Sequence, residues 1–121
     1  MAESTAEEHL SGHPMALAVL ARVRTILEEH GPVEERVTRS QVAFRRRRAF
    51  AWIWLPGRYL AGPHADCVLS VALGRRDGSP RFKEVVHPSP RHWMHHLEIR
   101  DAAEVDDEVR AWLCEAADRA R

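Results

Sequence analysis

Cysteine is almost missing from this chain: Cys67 and Cys114 stand far apart in 121 residues, with no CxxC pair. A disulfide framework is thereby excluded, and a reduced, cytoplasmic setting is the expectation. Lysine is scarcer still, Lys83 being the only one among 18 basic residues. With alanine abundant as well, this pattern looks like GC-rich coding bias, so arginine content by itself carries little functional weight. An excess of one charge is absent too, since 18 acidic residues balance the basic ones. Nucleic acid is therefore not an expected partner on bulk charge. No apolar run approaches the ~20 residues of a membrane span. The opening MAESTAEEHLSGHP is polar and acidic, without the apolar stretch of a signal peptide, so no membrane contact is expected.

What is present suits one domain. Hydrophobic residues make up 45 %, enough for a core. Residues 1–12 read as a disordered tail, and residues 13–121 as a single α+β domain. His13-Pro14 opens a helix in which Met15, Ala16, Val19, Leu20, Val23, Ile26 and Leu27 recur at helical spacing. Gly31-Pro32 stops it, with glycine free to take a left-handed cap. Residues 37–45 read as a strand, with Val42 and Phe44 in alternation, and residues 46–48 as a charged turn. AFAWIWL (49–55) reads as a strand apolar on both sides: Phe50, Trp52 and Trp54 point one way, Ala51, Ile53 and Leu55 the other. CVLSVAL (67–73) is a further strand, followed by a turn at Asp77-Gly78. In WMHHLEIR (93–100), Trp93, His95, Leu97 and Ile99 share one face, and Met94, His96, Glu98 and Arg100 the other. A helix over residues 104–119 closes the chain, with Asp101 and Glu104 as its capping box. The expected architecture is an antiparallel sheet of about four to five strands, with the N-terminal and C-terminal helices packed on one face.

Two helices cover one face of such a sheet and leave the other. The aromatic side of residues 49–55 must then be covered by a loop such as residues 79–92, by a second copy of the chain, or by a ligand. Phe44, Phe50, Trp52, Trp54, Tyr59 and Trp93 form the aromatic set, and indole N–H groups at such positions favour cavity or interface edges.

The histidines of HPSPRHWMHH (87–96) are dense but badly aimed for chelation. His95 and His96 fall on opposite faces of a strand, and His87 and His92 precede it. No metal and no cofactor are expected. His95, beside Trp93 and Leu97, is the candidate acid/base, with Asp66 or Glu98 as a conceivable carboxylate. The basic run FRRRRAF (44–50) reads as a solvated turn, or alternatively as a nucleic-acid or protein contact through Arg45, Arg46, Arg47 and Arg48. Arg39 and Arg45 are placed to reach over the sheet to an anionic group.

Three stretches, EERVTRSQVAFRRRRAFAWIWLP (34–56), PRFKEVVHPSPRHWMHHLEIRD (80–101) and EVRAWLCEAADRAR (108–121), together resemble the bacterial domain family DUF5655. Val37-Thr38-Arg39, the run from Trp52 to Pro56, and the run from Trp93 to Ile99 carry the likeness. A more distant likeness is to the YdhG/DUF1801 group, where it would imply iron carriage. The resemblance implies the fold; the family's function is unknown. The favoured expectation is a small cytoplasmic binding or accessory domain for an anionic or aromatic small molecule. Trp52, Trp54 and Trp93 would form its platform, with Arg39, Lys83 and His95 supplying polar contacts. A homodimer is a further candidate partner. The alternative is a small enzyme with His95 as acid/base in the same pocket.

Overall fold

The computed structural model describes residues 5–58 and 65–121. Thr5 starts the first element: its hydroxyl accepts from the Glu8 N–H at 3.1 Å and caps α1 (Ala6–His9). Ala6 and Leu10, one helical turn apart, are both buried, Leu10 fully. Glu7 pairs with Arg24 of the next helix at 2.6 Å. Part of the stretch expected as a disordered tail, residues 1–12, thus forms α1, with Ala6 and Leu10 in the core cluster.

Helix α2 (Pro14–His30) has proline in its first turn, where the missing N–H is harmless. It ends at Gly31, whose N–H donates to the Leu27 carbonyl at 3.0 Å. Gly31 has φ 156° and ψ 175°. This is an extended conformation that glycine reaches easily, not the left-handed cap expected.

Six strands follow among the described residues: β1 (Glu34–Val37), β2 (Gln41–Arg45), β3 (Ala49–Trp54), β4 (Cys67–Leu73), β5 (Glu84–Ser89) and β6 (His92–Ile99). They form one antiparallel sheet in the order β1-β2-β3-β4-β6-β5. The count exceeds the expected four to five for two reasons. A turn at residues 38–40 divides the expected 37–45 strand, the Thr38 N–H donating to the Gln41 carbonyl at 2.9 Å. Part of the segment expected as a covering loop, residues 84–89, pairs with β6 and extends the sheet. Pro88 sits there at the sheet edge, where its missing N–H costs no ladder bond. A short 3-10 turn (Ala102–Glu104) leads to α3 (Asp107–Arg119). Asp101 caps the short turn, and Asp106 caps α3 by accepting from the Val109 N–H at 3.2 Å.

Both long helices pack on one side of the sheet. Val42, Phe44, Ala51, Ile53, Leu69, Val71, Leu97 and Ile99 face them and join one core. Phe50 joins that core too, against the expectation that it sides with Trp52 and Trp54. The register slips between Phe44 and Arg45, pairing Phe44 with Ala51 and Arg45 with Ala49. Phe50 is the extra residue of this bulge and turns inward.

Candidate functional site

Among the described residues no helix covers the other face of the sheet. Cross-strand register sets its rows. Arg36, Ala43, Trp52, Ser70, His96 and Glu84 run across all six strands. Beside them Gln41, Trp54, Val68 and Glu98 form a second row. Ala72, Met94 and Val86 lie on the far side, and Val86 is 42 % exposed.

At the centre lies a groove of about 510 Å³ lined by Ser40, Gln41, Trp52, Trp54, Ser70, Met94 and His96. A second hollow of about 360 Å³ shares Trp54 and His96 with it and adds Lys83, Glu84 and Glu98. The groove floor is hydrogen-bonded in one sense only. The Trp54 indole Nε1–H donates to Ser70 Oγ at 2.9 Å, and Ser70 Oγ lies 2.6 Å from His96 Nδ1. An indole N–H has nothing to accept with, so the Ser70 oxygen accepts from it and the Ser70 proton goes to His96. The neutral His96 ring then carries its own proton on Nε2. Burial lowers the His96 pKa, with Glu84 opposing and His95 assisting, so this neutral form is favoured near pH 7. The Trp54 and His96 rings meet edge-on, 6.2 Å between centroids.

Charge is uneven across the face. On the β5–β6 side Glu98 pairs with Lys83 at 3.2 Å and Arg100 at 3.6 Å. Burial raises the Glu98 pKa, but the Ala65 N–H and the two cations outweigh it and hold the carboxyl below its usual range. On the β1–β2 side Arg36 and Arg45 flank Glu34, and Arg39 stands exposed on the turn beside Ser40.

The residues expected to form one site are thus divided. Trp52 and Trp54 share the groove, Lys83 borders its second hollow, and Arg39 stands at its opposite end. His95 and Trp93 lie on the helix side of the sheet, away from those tryptophans. His95 is 0 % exposed. Its Nδ1–H donates to the Trp93 carbonyl at 2.9 Å, and its Nε2 accepts from the Asp77 N–H at 3.0 Å. Both nitrogens are engaged, and Phe82 packs on the ring at 4.7 Å. Trp93 stacks on His87 at 3.5 Å, at the sheet's end. Tyr59 and His64 fall outside the described residues. Ser70 and Met94 are groove residues that the sequence reading does not single out, and His96 enters that reading only as a badly aimed metal ligand. Their signals were a lone serine inside CVLSVAL and the alternation of residues 93–100.

The four clustered histidines go to four places: His87 onto Trp93, His92 toward Arg119, His95 into the core and His96 onto the open face. Among the described residues no three His, Cys, Asp or Glu side chains converge as metal ligands. Arg46 and Arg48 are taken up by backbone: Arg46 donates to the Pro32 and Ala117 carbonyls and Arg48 to that of Arg119. Cys67 is buried, which pushes its thiol up to about 12, with Asp66 adding to the effect.

Fold and site define the class: a two-layer α+β domain with helices on one sheet face and an aromatic, polar-anchored groove on the other. The chain belongs to the family described as Domain of unknown function (DUF5655), whose model matches residues 6–119. No curated protein and no solved structure matches it. Among the described residues no helix is long and apolar enough to cross a membrane.

Proposed function

We propose that this chain is a binding domain whose open sheet face takes a small planar molecule carrying a hydrogen-bond acceptor. The observation that carries the reading is the Trp54–Ser70–His96 chain. It aligns three side chains from three strands and leaves His96 Nε2–H as the ring's remaining donor. Trp52, Trp54 and Met94 offer the flat apolar walls that an aromatic ring fills. Lys83, paired with Glu98, stands at the rim of the second hollow.

Binding is favoured over catalysis on geometry. Both nitrogens of His95 are occupied, and its position across the sheet separates it from the groove. Ser70 and His96 resemble a nucleophile and its base. Ser70, however, is only 3 % exposed and sits mid-strand, between β3 and β6. Ladder hydrogen bonds there use the neighbouring N–H groups, so no free pair stands ready for an oxyanion.

The test is a backbone NMR titration with naphthoate, a planar aromatic carboxylate. Saturable shifts centred on Trp52, Trp54, Ser70 and His96, weakened in His96→Ala, are expected. Shifts confined to the helices, or none at millimolar probe, would remove the reading. A concentration-dependent dimer that protects the same residues without probe would assign the face to a second copy of the chain.

A further inference from the structure

We infer that the open face recognises a nucleotide unit, with the base over Trp52 and Trp54 and the phosphate at Arg36 and Arg39. This rests on the binding reading above and specifies its ligand.

The distribution of charge is what points there. An anion approaching the β5–β6 side meets Glu84 and Glu98, and the cations Lys83 and Arg100 are already engaged by Glu98. On the β1–β2 side the balance is reversed. Arg36, Arg39 and Arg45 form no ion pair among the described residues, and Glu34 is the one carboxylate of β1 and β2 on that face. Arg36 lies in the same row as Trp52, with only the small Ala43 between them. Two strand spacings separate their backbones, roughly 10 Å. Ala43, the residue between them in the row, carries only a methyl group.

The two ends therefore ask for different chemistry in one molecule. The centre asks for a flat ring with an acceptor facing His96 Nε2, which a purine or pyrimidine edge supplies. The β1–β2 end asks for an anion with several acceptor oxygens, to which the arginine fork is matched. Aromatic stacking beside arginines on a bare sheet is the physical basis of sequence-tolerant nucleotide contact. The zero net charge of the chain is no obstacle, because Arg36 shares a cross-strand row with Trp52 and Arg39 adjoins Ser40 of the groove lining. The basic run itself is split away from the groove: Arg46 and Arg48 turn to the end of α3, and Arg45 and Arg47 line a separate hollow with Gly31, Pro32 and Arg121.

Two sources carry this chemistry, a free nucleotide and a residue of a single strand, and calorimetry separates them. Adenosine, adenosine monophosphate, inorganic phosphate and a short oligodeoxyadenylate would be titrated at low and physiological salt. The monophosphate should bind about tenfold or more tightly than adenosine, given the strength of charge-assisted hydrogen bonds. The exposed double substitution Arg36→Ser with Arg39→Ser should abolish that advantage while leaving adenosine binding and the circular dichroism unchanged. Equal affinity for adenosine and its phosphate, or an advantage that survives the double substitution, overturns the inference. If naphthoate binds the groove and no nucleotide does, the nucleotide inference alone falls. If neither binds, the groove reading falls with it. An oligonucleotide that binds more tightly than the monophosphate, with steep salt dependence, assigns a single strand; equal affinity assigns the free nucleotide.

Discussion

The Ser70 hydroxyl donates to Nδ1 of His96 across 2.6 Å while its oxygen accepts from the Trp54 indole at 2.9 Å. Each donor in this chain has one place to go. Ser70→Ala leaves the indole N–H and His96 Nδ1 without their partner, on two half-buried residues that border the open groove. The expected loss is about 1 kcal/mol of stability, the net value of a hydrogen bond whose groups regain water. The sharper readout is the imidazole tautomer by nitrogen NMR. Wild type should hold the Nε2–H form, and Ser70→Ala should give a mixture. A predominant Nδ1–H form in the wild type would make His96 the donor and Ser70 the acceptor.

Stability should fall on mild acidification, and the direction follows from His95 and His96. Burial lowers the pKa of both below the ordinary value of 6.5. For His95 the carbonyl of Trp93 and the charge of Asp77 oppose the shift, and Arg75 assists it. The unfolded chain therefore binds protons first as pH drops. Stability is flat above the unfolded pKa and declines below it, by up to about 1.4 kcal/mol per pH unit for each group. Urea unfolding between about pH 8 and pH 5 measures this. His95→Gln should be less stable at neutral pH, through its two lost hydrogen bonds, and should show the shallower acid slope. An identical slope in that variant would remove His95 from the account.

Leu10→Ala tests whether the first residues belong to the domain. Leu10 is 0 % exposed and sits in the core cluster with α2 residues. Truncating it should cost about 2–4 kcal/mol, as for other fully buried leucines. A change within about 0.5 kcal/mol, the usual range for a surface site, would return residues 5–12 to the status of a tail.

That segment also shows what was legible in the sequence. Long periodic elements, α2, β4 and α3, announced themselves, because burial repeats at 3.6 or 2 residues over many positions. The bare aromatic face followed from counting helices against apolar strand faces. Short elements did not show. A four-residue helix offers only Ala6 and Leu10, and β5, with Pro88 and exposed Val86, lacks the alternation of a buried strand. The site was half visible. Alternation placed Trp52 with Trp54, and a residue-by-residue pleat also separates His95 from His96. It does not say which face the helices take, and that choice, fixed by tertiary packing, sent His95 into the core and His96 to the groove. The Phe50 bulge was likewise invisible, since one inserted residue is a property of the strand pair and not of either strand alone.

Asp77 closes the long turn between β4 and β5, and its substitution should show how firmly His95 is held. Its Oδ2 accepts from Arg75 at 3.0 Å and from the Trp112 indole at 3.1 Å; its Oδ1 accepts from the Ser79 N–H at 2.9 Å; its own N–H donates to His95. Burial would raise the carboxyl pKa, but the Ser79 N–H, the Arg75 guanidinium and the Trp112 indole outweigh it and hold it below the usual value of 3.8. Asp77→Asn presents an amide N–H2 to a ring of donors, so one side of the turn loses its acceptor. The expected loss is about 2 kcal/mol at neutral pH, the cost of a part-buried donor left without a partner. Because the folded pKa is lowered, this stabilisation is present above the unfolded value and fades as pH falls through and below about 4. Thermal melts of both proteins should therefore differ most at neutral pH and converge in acid, with Trp112 emission changed only in the variant. Curves that stay parallel down to acid would mean that the carboxylate charge does not hold the turn, and that the packing of Phe82 on Trp112 at 4.4 Å holds it instead.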